Sequence, residues 1–248
     1  MLRVQYHPRV ASTNTLLLES NHSVHAHLCV AEYQSGGRGR RNRVWKSPFA
    51  RNLAMSLGFA FTRPLNRLGG MSSVVGVALT EALHELGAET TRLKWPNDIV
   101  TEDGKLCGIL TELRLHGGKS EAVIGIGVNV ELSAEDEHQI DQPVTDLRRL
   151  GVQETRSELV VHLIKRVYDL VGTFSYDGFG PFVERFNALH AYHGQRCYIL
   201  EGDEKTEGVV EGIAEDGALI LMTGRGNKHY HGGEVSLRSS KIEPPNAK

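Results

Sequence analysis

Apolar positions in this chain recur with two periods, and the places where the period changes mark its elements. Leu2 to Tyr6 is short and extended. Ser12-Thr13-Asn14-Thr15 then precede Leu16-Leu17-Leu18, and small hydroxyl and amide residues ahead of an apolar run predict a helix N-cap. Such a helix start also offers free donors to a polar ligand. Leu28 to Tyr33 reads as a strand running into a glycine-rich stretch, and Asn52 to Phe61 as the strand that leaves it. Leu68, Met71, Val75, Ala78, Leu79, Ala82 and Leu86 repeat at helical spacing, with Gly87 as the stop, and predict a helix that packs on the sheet. Arg92 to Trp95 is extended up to Pro96. Asp103-Gly104 and Gly117-Gly118 then punctuate three further strand-like runs, the pattern of an antiparallel meander. In the last run Gly125 and Gly127 lie two apart, so they share a face. That face is bare, either for something flat to approach or for packing against a helix.

Thr155-x-x-Glu158 is a capping box ahead of Leu159, Val160, Leu163, Ile164, Val167 and Leu170. Gly180-Pro181 starts another helix with Phe182, Phe186 and Leu189 on one side. After about Tyr192 the pattern changes to short apolar strings broken by Gly202-Asp203, Asp216-Gly217, Gly224 and Gly232-Gly233, which predicts a small all-β unit. The expected division is therefore 1–190, an α/β (α+β) unit, and 191–248, a small β unit.

Composition narrows the class. Lys+Arg total 28 against Asp+Glu 30, so the chain as a whole is neither strongly basic nor an acidic tail. No run approaches the roughly 20 apolar residues of a membrane span, and Met1-Leu2-Arg3-Val4 opens no signal-peptide pattern, so a cytoplasmic setting is expected. Cys29, Cys107 and Cys197 lie far apart in apolar strings and read as buried thiols. His25-x-His27 and His229-x-His231 lack a neighbouring Cys or carboxylate at ligand spacing and read as surface histidines.

The charge that matters is local. Gln34 to Trp45 packs Arg38, Arg40, Arg41 and Arg43 among Gly36, Gly37 and Gly39, and no Asp or Glu occurs from Tyr33 to Thr80. Glycines let a backbone approach a ligand closely, and guanidinium groups pair with phosphate or carboxylate oxygens. Polar clusters also sit where strands begin or end: Ser12-Thr13-Asn14, Lys94-Trp95-Pro96-Asn97-Asp98, Lys105 and Asn129. Together they supply cations for a triphosphate, a carboxylate able to hold Mg2+, and amides for uncharged recognition.

S-T-N near the N-terminus, G-R-G-R-R-x-R followed by W, K-W-P-N-D, K-L-x-G-I-L, G-x-G-x-N and a late G-G-E resemble the motifs of biotin protein ligases, in the family's order from Ser12 to Leu237. The resemblance implies a catalytic domain with a mixed sheet followed by an SH3-like barrel. It implies ATP-dependent activation of biotin as biotinyl-5'-AMP and transfer to one lysine of a biotin carboxyl carrier protein of acetyl-CoA carboxylase or a related carboxylase. Carried over residue by residue, it assigns Ser12, Thr13, Asn14 and Gln34 to the biotin head, and Gly37, Arg38, Gly39 and Arg40 to a loop closing over biotin and the adenylate. Lys105, beside Gly108, bridges the biotin carboxylate and the α-phosphate, and with Arg40 forms the catalytic pair. Arg40, Arg43, Trp45, Lys94, Asn97, Asp98 and Asn129 serve the nucleotide, Asp98 also as ligand to Mg2+. The chain departs from the family at Asn42, where the motif usually has glycine. Asn best tolerates a left-handed backbone among non-glycine residues, so the loop shape is expected to survive. Only Met1 to Ala11 precede the first motif, too few for the winged helix of family members that repress transcription, so sequence-specific DNA binding is expected to be missing. A homodimer is left open.

Two rivals remain at this stage. Lipoate or octanoate ligases are related in fold but lack this Arg loop with K-W-P-N-D. An RNA-binding module would use the Arg/Gly run, against which stand the near-neutral charge and the 6% aromatic content.

Overall fold

The computed structural model describes residues 2–20, 26–232 and 235–239. Thus His25 and the Gly233-Glu234 part of the G-G-E motif lie outside the described residues, as does the side chain of Asn42. Among the described residues twelve strands and five α-helices follow one another as β1 (Leu2–His7), α1 (Thr13–Glu19), β2 (Ala26–Ala31), β3 (Asn52–Phe61), α2 (Met71–Glu85), β4 (Arg92–Lys94), β5 (Asp98–Val100), β6 (Lys105–His116), β7 (Lys119–Asn129), α3 (Ala134–His138), α4 (Arg156–Asp177), α5 (Val183–Leu189), β8 (Arg196–Glu201), β9 (Glu204–Ile213), β10 (Leu219–Thr223), β11 (Gly226–Tyr230) and β12 (Val235–Ser239).

The first seven strands form one sheet in the order β1-β2-β3-β7-β6-β5-β4. It is mixed because β1 and β2, joined across α1, run parallel, while every other pair is antiparallel. The predicted meander of β5, β6 and β7 is present, with a turn closed by the Thr101 N–H donating to Gly104 O at 2.8 Å. Every position of β3 except Ala60 is buried, since it has neighbours on both edges and layers on both faces.

One face carries α2 and α4. Eleven of the α2 residues are buried, so this helix is apolar nearly all round, as a helix covered on several sides must be. The expectation that it simply lies on the sheet is therefore incomplete: α4 covers it from outside, presenting Leu159, Leu163, Ile164, Val167, Leu170, Val171 and Phe174. The capping box that starts α4 is complete, with the Thr155 side chain accepting from Glu158 N–H and the Glu158 side chain accepting from Thr155 N–H. A mutation to Ala at such a cap removes about 1 kcal/mol. The other face carries α1, whose Leu17 packs with Cys29 of β2 and Val123 of β7.

The last five strands form an antiparallel sheet in the order β11-β10-β9-β8-β12. This is the small all-β unit expected from the turn spacing; it is compatible with the SH3-like barrel that the resemblance implies, but its edge strands β11 and β12 are unpaired to each other among the described residues. It is stitched to β4, to α5 and to the start of α2. Ala191 N–H donates to Leu93 O at 2.7 Å, Ile213 N–H donates to Asn187 Oδ1 at 3.0 Å, and a Cβ on Gly217 would meet Gly70 Cα at 2.5 Å.

His27 differs from its reading as a surface histidine: β2 is an interior strand, and the residue is 3% exposed. Burial, with Arg3 adding to it, lowers its pKa. Cys29, Cys107 and Cys197 are free and buried, as their apolar strings imply. No helix among the described residues is long and apolar enough to cross a membrane.

Candidate active site

The face of the large sheet opposite α2 is where the polar clusters meet. Register puts Gly108 of β6 beside Gly127 of β7, with Gly125 two residues along on the same face, so three positions without side chains adjoin in a strip across two neighbouring strands. The chain covers this strip itself. A Cβ on Gly125 would lie 2.4 Å from Asn14 Oδ1, and one on Gly127 would lie 2.4 Å from Trp45 Cε2. The flat group that the paired glycines admit is therefore the Trp45 indole, with the Asn14 amide beside it, and neither a packed helix backbone nor empty space.

Ser12, Thr13 and Asn14 are buried at the start of α1. Ser12 is the N-cap and accepts from Thr15 N–H at 3.4 Å. The N–H of Thr13, one of the donors a helix start leaves unpaired, and its hydroxyl both donate to Gln34 Oε1, at 2.8 and 3.0 Å. Asn14 Nδ2 donates to Glu112 Oε2 at 2.8 Å, and its Oδ1 lies 2.5 Å from Ser56 Oγ. Ser56 also lies 2.7 Å from Thr13 Oγ1. Neither Ser56 nor Glu112 was singled out from the sequence. The one available signal for Ser56 is a hydroxyl in the otherwise apolar run N-L-A-M-S-L. Glu112 carried none.

The Arg loop is a small hairpin. Trp45 N–H donates to Gly37 O at 2.9 Å, Gly39 N–H to Arg43 O at 2.7 Å, and Arg38 bridges Val44. A Cβ on Gly37 would meet Trp45 O at 2.7 Å, so this position requires glycine. The left-handed step falls on Arg41 (φ 57, ψ 35), one residue before Asn42, where the sequence reading had looked for it. Arg38 reaches Glu112 Oε1 at 3.5 Å and Thr15 Oγ1 at 3.3 Å. Arg40 turns the other way, donating to Asn97 Oδ1 at 3.2 Å and to Val235 O of β12 at 3.3 Å. Arg41 and Arg43 are exposed.

At the other end of the strip, Lys105 Nζ pairs with Asp98 Oδ1 at 2.7 Å and stands 5.5 Å from the Trp45 ring centroid. Its backbone is fixed on both sides, donating to Pro143 O at 3.0 Å and accepting from Thr145 N–H at 3.1 Å. Asn129 serves the same end by a different route. Buried at 2% exposure, it donates from Nδ2 to Lys105 O (3.2 Å) and Thr145 O (3.1 Å) and accepts from Asn52 Nδ2 (3.3 Å), so its amide is engaged inward. Asn97 donates to Ile109 O at 2.8 Å while accepting from Arg40. Trp45 Nε1–H is buried and meets no acceptor among the described residues.

Cations crowd this end. Burial first, and then Arg238 of β12, holds Lys94 below the usual lysine range, with Lys105 and Arg43 adding to the effect and Asp98 opposing it. Burial and Arg41 lower Arg40 likewise, again against Asp98. Lys94, Lys105, Arg40, Arg43 and Arg238 around one carboxylate make a site that a polyanion would relieve.

Among the described residues no three His, Cys, Asp or Glu side chains are grouped to hold a metal. Asp98 offers one carboxylate, already paired with Lys105. That donor set fits a Mg2+ ion carried in on phosphate oxygens, which needs only one or two protein carboxylates. A cleft of about 590 Å3 lies elsewhere, lined by Asp103, Glu137, His138, Pro143, Val144 and Arg149 among others. It borders the 143–145 segment that fixes Lys105 but contains none of the signature side chains.

Residues 6–129 match the biotin/lipoate A/B protein ligase family, and residues 192–238 match the biotin protein ligase C-terminal domain. The chain is 35% identical over 236 residues to the bifunctional ligase/repressor BirA of Escherichia coli, covering 94% of this chain and 74% of that one. It is 32% identical over 219 residues to the biotin--[acetyl-CoA-carboxylase] ligase of Paracoccus denitrificans, covering 83% and 88%. In structure it is similar to the biotin protein ligase of Aquifex aeolicus in complex with biotin and ATP, with a TM-score of 0.79, 30% identity, and coverage of 96% of this chain and 99% of that one.

Proposed function

The chain belongs to the biotin/lipoate A/B protein ligase family and is a biotin ligase, and we propose that it forms biotinyl-5'-AMP on the sheet face between Asn14 and Lys105 and passes the biotin to a lysine of a biotin carboxyl carrier protein. The observation that carries this reading is the convergence of four separate sequence clusters on one sheet face, with a neutral hydrogen-bonding end at Thr13, Asn14 and Gln34 and a cationic end at Lys105.

An uncharged ureido ring suits the neutral end, where hydroxyls and amides now satisfy one another and would exchange those bonds for ligand bonds. The carboxylate of biotin then points toward Lys105. Its oxygen attacks the α-phosphorus of ATP, the new P–O bond forms as the bond to pyrophosphate breaks, and Lys105 stabilises the charge shared between the two anions. Mg2+ would neutralise the triphosphate, with Asp98 as its protein ligand. Arg38, Gly39 and Arg40 close over the product. In the second step the acceptor amine attacks the acyl carbon and AMP leaves. Trp45, Lys94, Asn97 and Arg43 serve the nucleotide, whereas Asn129 acts by holding the backbone of Lys105. Residues 1–190 form the catalytic unit and 191–248 the C-terminal one, and the setting is cytoplasmic.

The test is exchange of labelled pyrophosphate into ATP. Biotin is expected to drive it and lipoate or octanoate to leave it at background. Exchange supported by octanoate as well as by biotin overturns the substrate assignment.

A further inference from the structure

Among the described residues Glu112 is the one carboxylate that touches both halves of the neutral end. Its Oε2 accepts from Asn14 Nδ2 of α1 at 2.8 Å, and its Oε1 pairs with Arg38 of the loop at 3.5 Å. Arg38 also donates to Thr15 Oγ1, so its guanidinium crosses from the loop to α1. The side chain of Glu112 is 30% exposed, enough to screen the ion pair in part but not to dissolve it. It lies on β6 four residues beyond Gly108, about 13 Å along the strand, far from Lys105 and from the nucleotide cations.

Two physical consequences follow. An Asn amide can sit either way round, and here the way is fixed: Oδ1 faces the Ser56 hydroxyl, while Nδ2 faces Glu112 and Leu110 O at 3.4 Å. An amide in place of the carboxylate would let the pair turn. In addition, Arg38, Arg40, Arg41 and Arg43 repel one another, and a countercharge fixed on the sheet holds the first of them over α1.

We propose that Glu112 is a positioning residue, which latches the Arg38 side of the loop over the biotin head and fixes the orientation of Asn14. This rests on the biotin-ligase reading. Glu112 reaches no nucleotide group, so its removal loosens biotin and lets the adenylate escape without slowing the chemistry at Lys105.

The experiment compares the parent enzyme with Glu112→Gln, Glu112→Asp and Arg38→Met, and with the Gln/Met double variant. For Glu112→Gln the KM for biotin is expected to rise about tenfold, as loss of one charge-assisted hydrogen bond implies. Release of preformed biotinyl-5'-AMP should quicken by a similar factor, while KM for ATP and kcat at saturating biotin stay within twofold. Glu112→Asp should recover part of the loss, and the loss in the double variant should fall short of the product of the two single losses, because the Arg38 contact is removed in both while the Asn14 contact is removed only with Glu112. Equal damage to ATP and biotin parameters, or full additivity in the double variant, overturns the latch. If Glu112→Gln does not fold, Glu112→Asp and Arg38→Met carry the same biotin-against-ATP comparison. If the parent enzyme shows no biotin-dependent exchange, the underlying reading fails instead, and the two failures are distinct.

Discussion

The Trp45 indole lies on Gly127: a Cβ at that position would stand 2.4 Å from Cε2 and 2.7 Å from Nε1. Gly127→Ala must therefore push the ring off the strip. Overpacking of this kind costs about 1–3 kcal/mol, small enough for the fold to persist. With Trp45 on the nucleotide side, KM for ATP is expected to rise at least tenfold and KM for biotin to change less. An unchanged KM for ATP alongside a folded variant would take Trp45 out of the nucleotide site.

Lys105→Ala is expected to lower adenylate formation by about a hundred- to a thousand-fold, the usual effect of removing a preorganised charge-stabilising donor. The fold should hold, because the 143–145 segment binds the backbone of Lys105 and not its ammonium group. Asp98→Asn makes a paired test through the 2.7 Å ion pair. If Asp98 is a metal ligand, the variant needs more Mg2+ for half-maximal rate yet transfers preformed adenylate normally. A uniform loss at every Mg2+ concentration would show that Asp98 only holds Lys105. Single-turnover rates across a Mg2+ series separate the two.

Arg38, although exposed, and Arg40 are tied to Glu112, Asn97 and Val235, whereas Arg41 and Arg43 are exposed without such a tie among the described residues. Trypsin is therefore expected to cut first after Arg41 or Arg43. Biotin with ATP and Mg2+ should slow that cut sharply, because the adenylate phosphate gives the guanidinium groups a shared partner. ATP alone, or ATP with octanoate, should protect far less. Mass mapping of the first fragment checks the loop, and octanoate protecting as well as biotin would sink the head-group assignment.

His190 Nε2 accepts from Trp95 N–H at 3.3 Å and is buried, which pushes its pKa down to about 3. The unfolded chain, with an ordinary histidine near 6.5, binds the proton more readily. Stability from this group is thus fully present above about pH 6.5 and is lost as pH falls toward 3. Between pH 7 and pH 5 the loss is about 2 kcal/mol. Denaturant midpoints for the parent and His190→Gln should converge as pH is lowered over that range, since Gln keeps an acceptor for Trp95 without titrating. Parallel pH profiles would remove His190 as the source.

Local periodicity and capping chemistry were enough to read β3, α2, α4, the β5–β7 meander and the late β unit, because each depends on residues within a few positions of one another. The motif residues could be chosen for the same reason: a guanidinium among glycines, or a lysine beside a tight turn, declares its chemistry wherever it folds. What fills the Gly125–Gly127 strip could not be read, since β7 lies between β3 and β6 only through the non-sequential strand order. That order brings Trp45 and Asn14 onto it from distant segments. Asn129 likewise looked like a ligand group by type, and only the packing shows its amide turned inward to Lys105 and Thr145. Glu112 and Ser56 were silent because a lone polar residue in a strand has no local partner to reveal it. The left-handed step fell on Arg41 because the hairpin closes between Gly39 and Arg43, a constraint of backbone hydrogen bonding and not of side-chain propensity.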